Sequence, residues 1–128
     1  MREILFRGKR LDNNEWVEGY YVLDMGKHFI LVKESRCNYR LSWFRIDLST
    51  ICQFIGLRDK NGKRIWEHDR YVHPKSGEEF VIKWDNSMSA FRAFYDSGGS
   101  TGTEMLSLQF GKGGAVRLGS IHDMEAEQ

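Results

Sequence analysis

Residues 51–66, ICQFIGLRDKNGKRIW, decide the fold class, because they carry the clearest hairpin signal of the chain. Ile51–Leu57 is a short apolar stretch typical of a strand, and Ile65-Trp66 belongs to its partner. Between them lies Asn61-Gly62, the strongest short-range hairpin signal, since both residues tolerate a positive φ. The segment therefore predicts two antiparallel strands joined by a turn at Asn61 and Gly62.

Short strands continue downstream of this hairpin. Phe80, Ile82 and Trp84 alternate with polar neighbours, which predicts a strand with one apolar face. After a turn at Asn86-Ser87, Ala90–Tyr95 has the composition of its antiparallel partner. Four or five strands within so short a segment are typical of a small barrel, so we expect an SH3-like barrel over residues 50–95.

The regions on either side also favour strands. In the N-terminal region, residues 1–49, we expect a first hairpin that ends in Trp16–Val22 and a further strand over His28–Lys33. No clear period emerges over 34–49. The C-terminal strand region, residues 104–122, carries a short helical pattern at Met105–Phe110 and a final strand over Val116–Ile121. The sequence thus predicts one mainly β domain over residues 1–128, with antiparallel strands and little helix.

Composition excludes several classes of protein. The 128 residues are 41% hydrophobic and 29% charged, a mixture that can bury a core, and the formal net charge is +1. A near-neutral chain gives no whole-molecule argument for duplex DNA or an anionic membrane. The N-terminus lacks the apolar stretch of a signal peptide, and no run is long enough to span a membrane, so we expect a cytoplasmic protein. Cys37 and Cys52 form no CxxC pair and are interpreted as small, partly buried apolar residues.

The best candidate for metal binding or acid–base chemistry is the segment Glu67-His68-Asp69, with His73 nearby. Its spacing matches no recognised metal motif. Charged turns are far commoner than such sites, so we interpret Glu67, His68 and Asp69 as a structural turn in which Asp69 binds the local backbone. The sequence therefore assigns no catalytic residue, no metal ligand and no cofactor. The glycine-rich segments 98–103 and 111–114 fit no phosphate-binding motif and are interpreted as flexible connections.

Basic and aromatic residues interleave in two segments, a pattern that single-stranded nucleic-acid binders use for stacking on bases and for contacts with phosphates. A small β domain also needs aromatic residues to fill its core, and the near-zero net charge favours that explanation. The candidate nucleic-acid face consists of Lys83, Arg92 and Phe94, with Trp84 beside it. The other segment carries Arg36, Tyr39, Arg40, Trp43, Phe44 and Arg45.

The segment Gln53–Asp69 resembles a segment of the YopX family of phage and prophage proteins. The opening Arg2–Tyr21, with Trp16-Val17-Glu18-Gly19-Tyr20-Tyr21, and the closing Val116–Asp123 are similar to the family in looser form. The resemblance implies a mainly β, phage-derived protein in a bacterial host, and it implies no activity. His68 stands where the family usually has glycine, so we expect a positive φ there, and we expect His68→Gly to be neutral or to stabilise the fold by at most about 1 kcal/mol.

Three functional hypotheses follow. The first is a non-enzymatic accessory protein that acts by binding a host or phage protein or by self-association, as a homo-oligomer. The second is a nucleic-acid-binding module that uses the barrel face. The third is a metal-dependent enzyme built on Glu67, Asp69 and His73.

Overall fold

The computed structural model describes residues 3–33, 41–95, 100–101, 106, 110 and 114–125. The chain divides into two compact units, residues 1–54 and residues 55–128. The described residues contain eleven strands in two antiparallel sheets, so the predicted mainly β class is confirmed. Helical structure is limited to short segments in the part of the chain described.

The first unit is a meander of neighbouring strands. Its elements are β1 (Phe6–Lys9), β2 (Trp16–Asp24), β3 (Lys27–Lys33), β4 (Leu41–Arg45), a 3-10 turn (Leu48–Thr50) and the start of β5 (Cys52–Arg58). The strand order is β4-β3-β2-β1-β5. The predicted hairpin of Trp16–Val22 and the strand at His28–Lys33 are confirmed. In the stretch 34–49, for which the sequence shows no clear period, residues 41–45 form β4 and residues 34–40 lie outside the described part.

Among the described residues of the first unit, the most buried hydrophobic side chains are those of Ile30, Ile46 and Cys52, which are 0–2% exposed. The thiol of Cys52 donates to the carbonyl oxygen of Thr50 at 3.2 Å, and the residue is the buried apolar cysteine that the sequence predicts. Cys37 lies outside the described residues. Gly19 on β2 passes so close to β3 that a Cβ atom there would lie 2.1 Å from the carbonyl oxygen of Leu31.

The hairpin predicted at Asn61-Gly62 joins β5 to β6 (Arg64–Trp66). Of Asn61 and Gly62, only Gly62 takes a positive φ, 78°, because the loop is longer than the two-residue turn that the Asn-Gly dipeptide suggests. The Asp59 amide donates to the Lys63 carbonyl at 2.8 Å. The Asp59 carboxylate accepts from the amides of Asn61 and Lys63 at 2.9 and 3.0 Å, so an acidic side chain rather than the dipeptide alone organises the turn.

In the described part of the second unit, the remaining elements are β7 (Asp69–Val72), β8 (Glu79–Asp85), β9 (Ala90–Tyr95), β10 (Ser100–Thr101), β11 (Val116–Ser120) and α1 (Ile121–Glu125). The five strands form a sheet of order β10-β9-β8-β7-β11. The last strand pairs with β7 across a register shift between Arg117 and Gly119. The predicted last strand, Val116–Ile121, is confirmed as β11, which ends one residue earlier. The chain turns into α1 after Ser120, whose amide donates to the Asp123 carboxylate at 3.1 Å.

The core of the second unit lies on one face of this sheet. Tyr71, Phe80, Ile82 and Ala93 are 0–1% exposed and pack with Leu106 and Phe110, which the sequence places in a short helical pattern. Most of the residues between Met105 and Phe110 lie outside the described part, as do most of the two glycine-rich segments. Trp84 lies on the same face of β8 as Phe80 and Ile82, as predicted, and packs edge-to-face on Phe91, although it is 45% exposed.

No closed barrel is found within the described ranges, so the SH3-like barrel predicted for residues 50–95 is not confirmed. Within those same ranges, every helix is too short and too polar to cross a bilayer.

Candidate functional site

The turn between β6 and β7 presents His68 from a left-handed backbone with φ 72°, the conformation expected where the family has glycine. Two main-chain hydrogen bonds fix the residue. Its amide donates to the carbonyl oxygen of Ile82 at 2.6 Å, and its own carbonyl oxygen accepts from the amide of Ile121 at 3.0 Å. The turn is therefore held to the neighbouring strand β8 on one side and to the start of α1 on the other.

A second histidine, His122, lies beside this turn although it is 54 residues further along the chain. It is the second residue of α1 and is 6% exposed. Its amide donates to the hydroxyl oxygen of Ser120 at 3.2 Å, which fixes the first turn of the short helix. Pairing of β11 with β7 positions α1 beside the His68 turn, since Ser120 lies opposite Asp69.

The two imidazoles face each other. The Nδ1 atom of His68 lies 2.9 Å from the Nε2 atom of His122, and the ring centroids are 4.9 Å apart at an interplanar angle of 74°. At this separation one nitrogen donates a proton and the other accepts it, so the pair is complementary only when the two rings share a proton between these atoms. Two imidazoles can also share a metal ion, since neutral imidazole nitrogen is the commonest protein ligand for transition metals.

The other residues of the predicted metal-dependent enzyme have separate partners. Asp69, which is fully buried, accepts from the amide of Trp66 at 3.0 Å and from the Arg117 guanidinium at 3.3 Å. The bond to Trp66 is the local backbone contact that the sequence predicts for Asp69. His73 instead bonds the hydroxyl of Tyr95 at 3.0 Å and stacks on its ring. Glu67 lies in the turn beside His68.

The structure brings Lys83, Arg92 and Phe94 to one face of the second sheet. Lys83 lies directly opposite Arg92, and Val81 lies opposite Phe94, so these side chains share the face turned away from the core. Lys83 is exposed, whereas Arg92 and Phe94 are half-buried.

A carboxylate partly neutralises the positive charge of this face. Arg92 forms an ion pair with Asp85 at 3.1 Å. The hydrogen bond from the Ser87 hydroxyl, together with the Ser87 amide and Arg92, holds the pKa of Asp85 below its ordinary value of 3.8. Asp85 therefore remains ionised at neutral pH and offsets one of the two cations.

The first unit carries an exposed aromatic face that the sequence only partly indicates. Tyr20, Leu31 and Trp43 lie opposite one another across β2, β3 and β4, so their side chains share one face. Tyr20 is 58% and Trp43 51% exposed, with buried Leu31 between them. Phe29 packs edge-to-face on Trp43, with centroids 5.4 Å apart. We call these four residues the aromatic face.

The other residues of that basic and aromatic segment have different placements. Phe44 points away from the aromatic face, where the Arg10 guanidinium lies 4.4 Å from its ring centroid. Arg45 is exposed, and Arg36, Tyr39 and Arg40 lie outside the described residues.

Comparison with known proteins identifies the family. The family model described as YopX protein matches residues 5–123, nearly the whole chain. The chain belongs to the YopX family. No curated protein matches the chain.

Within this YopX domain, sequence reasoning missed His122 as a partner of His68. The two residues are 54 positions apart, and no motif joins them. The only local signal is the histidine at a family glycine position, which marks position 68 as unusual without indicating what its side chain contacts. The missing information is the pairing of β7 with β11, a contact between distant segments that turn residues do not encode.

Proposed function

We propose that this YopX-family chain is a phage- or prophage-derived accessory protein that acts by binding rather than by catalysis, in the cytoplasm of a bacterial host. Self-association through the aromatic face forms a homo-oligomer, and the assembled protein engages a host or phage protein. The observation that carries the proposal is the exposure of Tyr20 and Trp43 on one sheet face. Tyrosine and tryptophan dominate the energetics of protein interfaces because they bury a large area with few rotatable bonds.

The surroundings of the aromatic face favour a second copy of the chain as the partner. Exposed groups of both signs share this face by register. Glu18 and Asp24 lie on β2, Lys33 on β3 and Arg45 on β4. A two-fold interface places the same patch on both subunits, so a patch of a single sign would repel itself. Here the cations of one copy can face the carboxylates of the other around the two rings.

The edge position of β4 supports the same arrangement. β4 is the terminal strand in the order of the first sheet, and Leu41 and Trp43 are 47% and 51% exposed along it. An edge strand with exposed apolar side chains is a ready site for association with another chain. Contact between two copies would bury these side chains.

Size-exclusion chromatography with light scattering tests this proposal. We expect the chain to be larger than its monomer mass of 15.0 kDa at micromolar concentrations and Trp43→Ser to return it towards that mass. Trp84→Ser is the matched control, because Trp84 is 45% exposed in the second unit and should leave the assembly unchanged. A monomer at high concentration, or an equal effect of the two variants, would contradict self-association through the aromatic face.

A second candidate function, single-stranded nucleic-acid binding, is favoured by the shared face of Lys83, Arg92 and Phe94. In this proposal the face belongs to the SH3-like barrel predicted for residues 50–95. Phe94 stacks on a base while the two cations contact phosphates. The half-burial of Phe94 and the Asp85 ion pair weaken this candidate relative to the first.

Fluorescence anisotropy with a labelled single-stranded oligonucleotide tests the second candidate. Binding through this face should weaken steeply as salt increases, because cations that contact phosphates release counterions. Lys83→Glu should reduce the affinity, whereas Lys60→Glu, the same charge change at an exposed position of the β5–β6 loop, should not. Absence of salt-dependent binding by the parent chain would rule this function out.

A further inference from the structure

We propose that His68 and His122 are ligands of a transition-metal ion of the zinc class, held between the β6–β7 turn and α1. The proposal concerns the second unit alone and is independent of the aromatic face. It assigns a chemical role to the pair of side chains that the sequence leaves unassigned. The bound ion would cross-link two segments that are 54 residues apart in the chain.

The geometry suits a shared ion. Histidine nitrogens lie about 2.0–2.1 Å from Zn²⁺, so two of them at a tetrahedral angle are about 3.4 Å apart. The Nδ1 of His68 and the Nε2 of His122 are 2.9 Å apart and face each other. An increase of about 0.5 Å, which small side-chain rotations provide, converts the shared-proton geometry into the geometry of two metal ligands. The two imidazoles then fill two positions of the coordination shell.

Both ligands are held by backbone rather than by side-chain packing alone. The amide and the carbonyl of His68 are bonded to Ile82 and Ile121, and the amide of His122 is bonded to Ser120. Because the Ile121 amide bonds directly to the His68 carbonyl, the two ligand-bearing segments are already in register before any ion binds. Such preorganisation lowers the entropy lost on binding.

The backbone of His68 supplies an independent argument. A φ of 72° is unfavourable for any residue with a Cβ atom, and glycine would adopt it without strain. Strained residues persist where the surrounding structure over-determines them, as the bonds of His68 to Ile82 and Ile121 do, and they cluster at ligand sites. Here the strained residue carries an imidazole that meets a second imidazole.

The chemistry of the donors selects the kind of ion. Imidazole nitrogen suits Zn²⁺, Cu²⁺, Ni²⁺ and Co²⁺, whereas Ca²⁺ and Mg²⁺ prefer oxygen ligands. Two acidic side chains on these segments have structural partners, since Asp69 bonds Trp66 and Arg117 and Asp123 bonds the Ser120 amide. The site should therefore discriminate sharply between the two groups of metals.

Isothermal titration of the full chain, first stripped with a chelator, tests the proposal. We expect Zn²⁺ to bind with one ion per chain and to raise the melting temperature, and we expect Ca²⁺ and Mg²⁺ to do neither. His68→Gln and His122→Gln should each reduce the affinity for Zn²⁺ by more than about tenfold, since loss even of a group that only orients a ligand has an effect of about 10–100-fold. His73→Gln and His28→Gln are matched controls among the four histidines and should retain the parent affinity.

A spectroscopic measurement keeps the proposal testable if a variant at the buried His122 does not fold. In the parent chain, Zn²⁺ should shift the imidazole NMR signals of His68 and His122 and leave those of His28 and His73 in place. The proposal is overturned if the stripped chain binds no Zn²⁺, or if Zn²⁺ shifts only the signals of the control histidines. Retention of parent affinity by folded His68→Gln and His122→Gln variants would overturn it equally.

Discussion

His68 combines two opposing contributions to stability at a single position. Its left-handed backbone is strained for a residue with a Cβ atom, while its ring contacts the ring of His122. Sequence reasoning identifies the first contribution from the glycine that the family usually has there. The second depends on a partner at residue 122 and becomes visible only in the folded chain.

Two substitutions separate these contributions. In chelator-treated protein we expect His68→Gly to remain folded, neutral or more stable by at most about 1 kcal/mol, because release of strain offsets the lost ring contact. His68→Ala loses the same ring but keeps the strain, so it should be less stable than His68→Gly by about 1 kcal/mol. Urea denaturation measures both values. Equal stabilities for the two variants would show that the strain at residue 68 does not exceed the additional chain entropy that glycine loses on folding.

At the scale of the element, strands β2 and β3 approach each other more closely at Gly19 than any side chain allows. Because β2 runs beside β3 on one side and β1 on the other, the sheet cannot move this strand without disturbing two ladders. Gly19 is therefore required for steric reasons, and it lies within the stretch that supports the family resemblance, Trp16-Val17-Glu18-Gly19-Tyr20-Tyr21.

Gly19→Ala should therefore destabilise the first unit. The added Cβ would lie 2.1 Å from the Leu31 carbonyl oxygen, a rigid backbone atom, so the strands must separate at an expected loss of about 1–3 kcal/mol. Gly62→Ala is an informative comparison, because its Cβ would enter open space and only the positive φ opposes it. Thermal denaturation should show a larger loss for Gly19→Ala; the reverse order would contradict the steric explanation.

For the whole molecule, sequence reasoning predicts the local pairings and misses the distant one. The hairpins β2–β3, β5–β6 and β8–β9 follow from alternation and turn residues, which act over a few positions. The pairing of β7 with β11 joins segments separated by more than 40 residues, and no turn chemistry specifies it. The same limit applies to the sites, since Lys83, Arg92 and Phe94 lie on neighbouring strands whereas His68 meets His122 through the distant pairing.

The contacts of β7 also determine when the second unit can finish folding during synthesis. Asp69 opens β7 with a fully buried carboxylate whose guanidinium partner, Arg117, is 48 residues further along. While a ribosome is still adding those residues, the nascent chain can form the β8–β9 hairpin but can neither complete the Asp69 ion pair nor cover the edge of β7 that β11 later occupies. The second unit thus reaches its final structure only after nearly all of it has been synthesised, and until then it presents an open strand edge to chaperones and to other nascent copies.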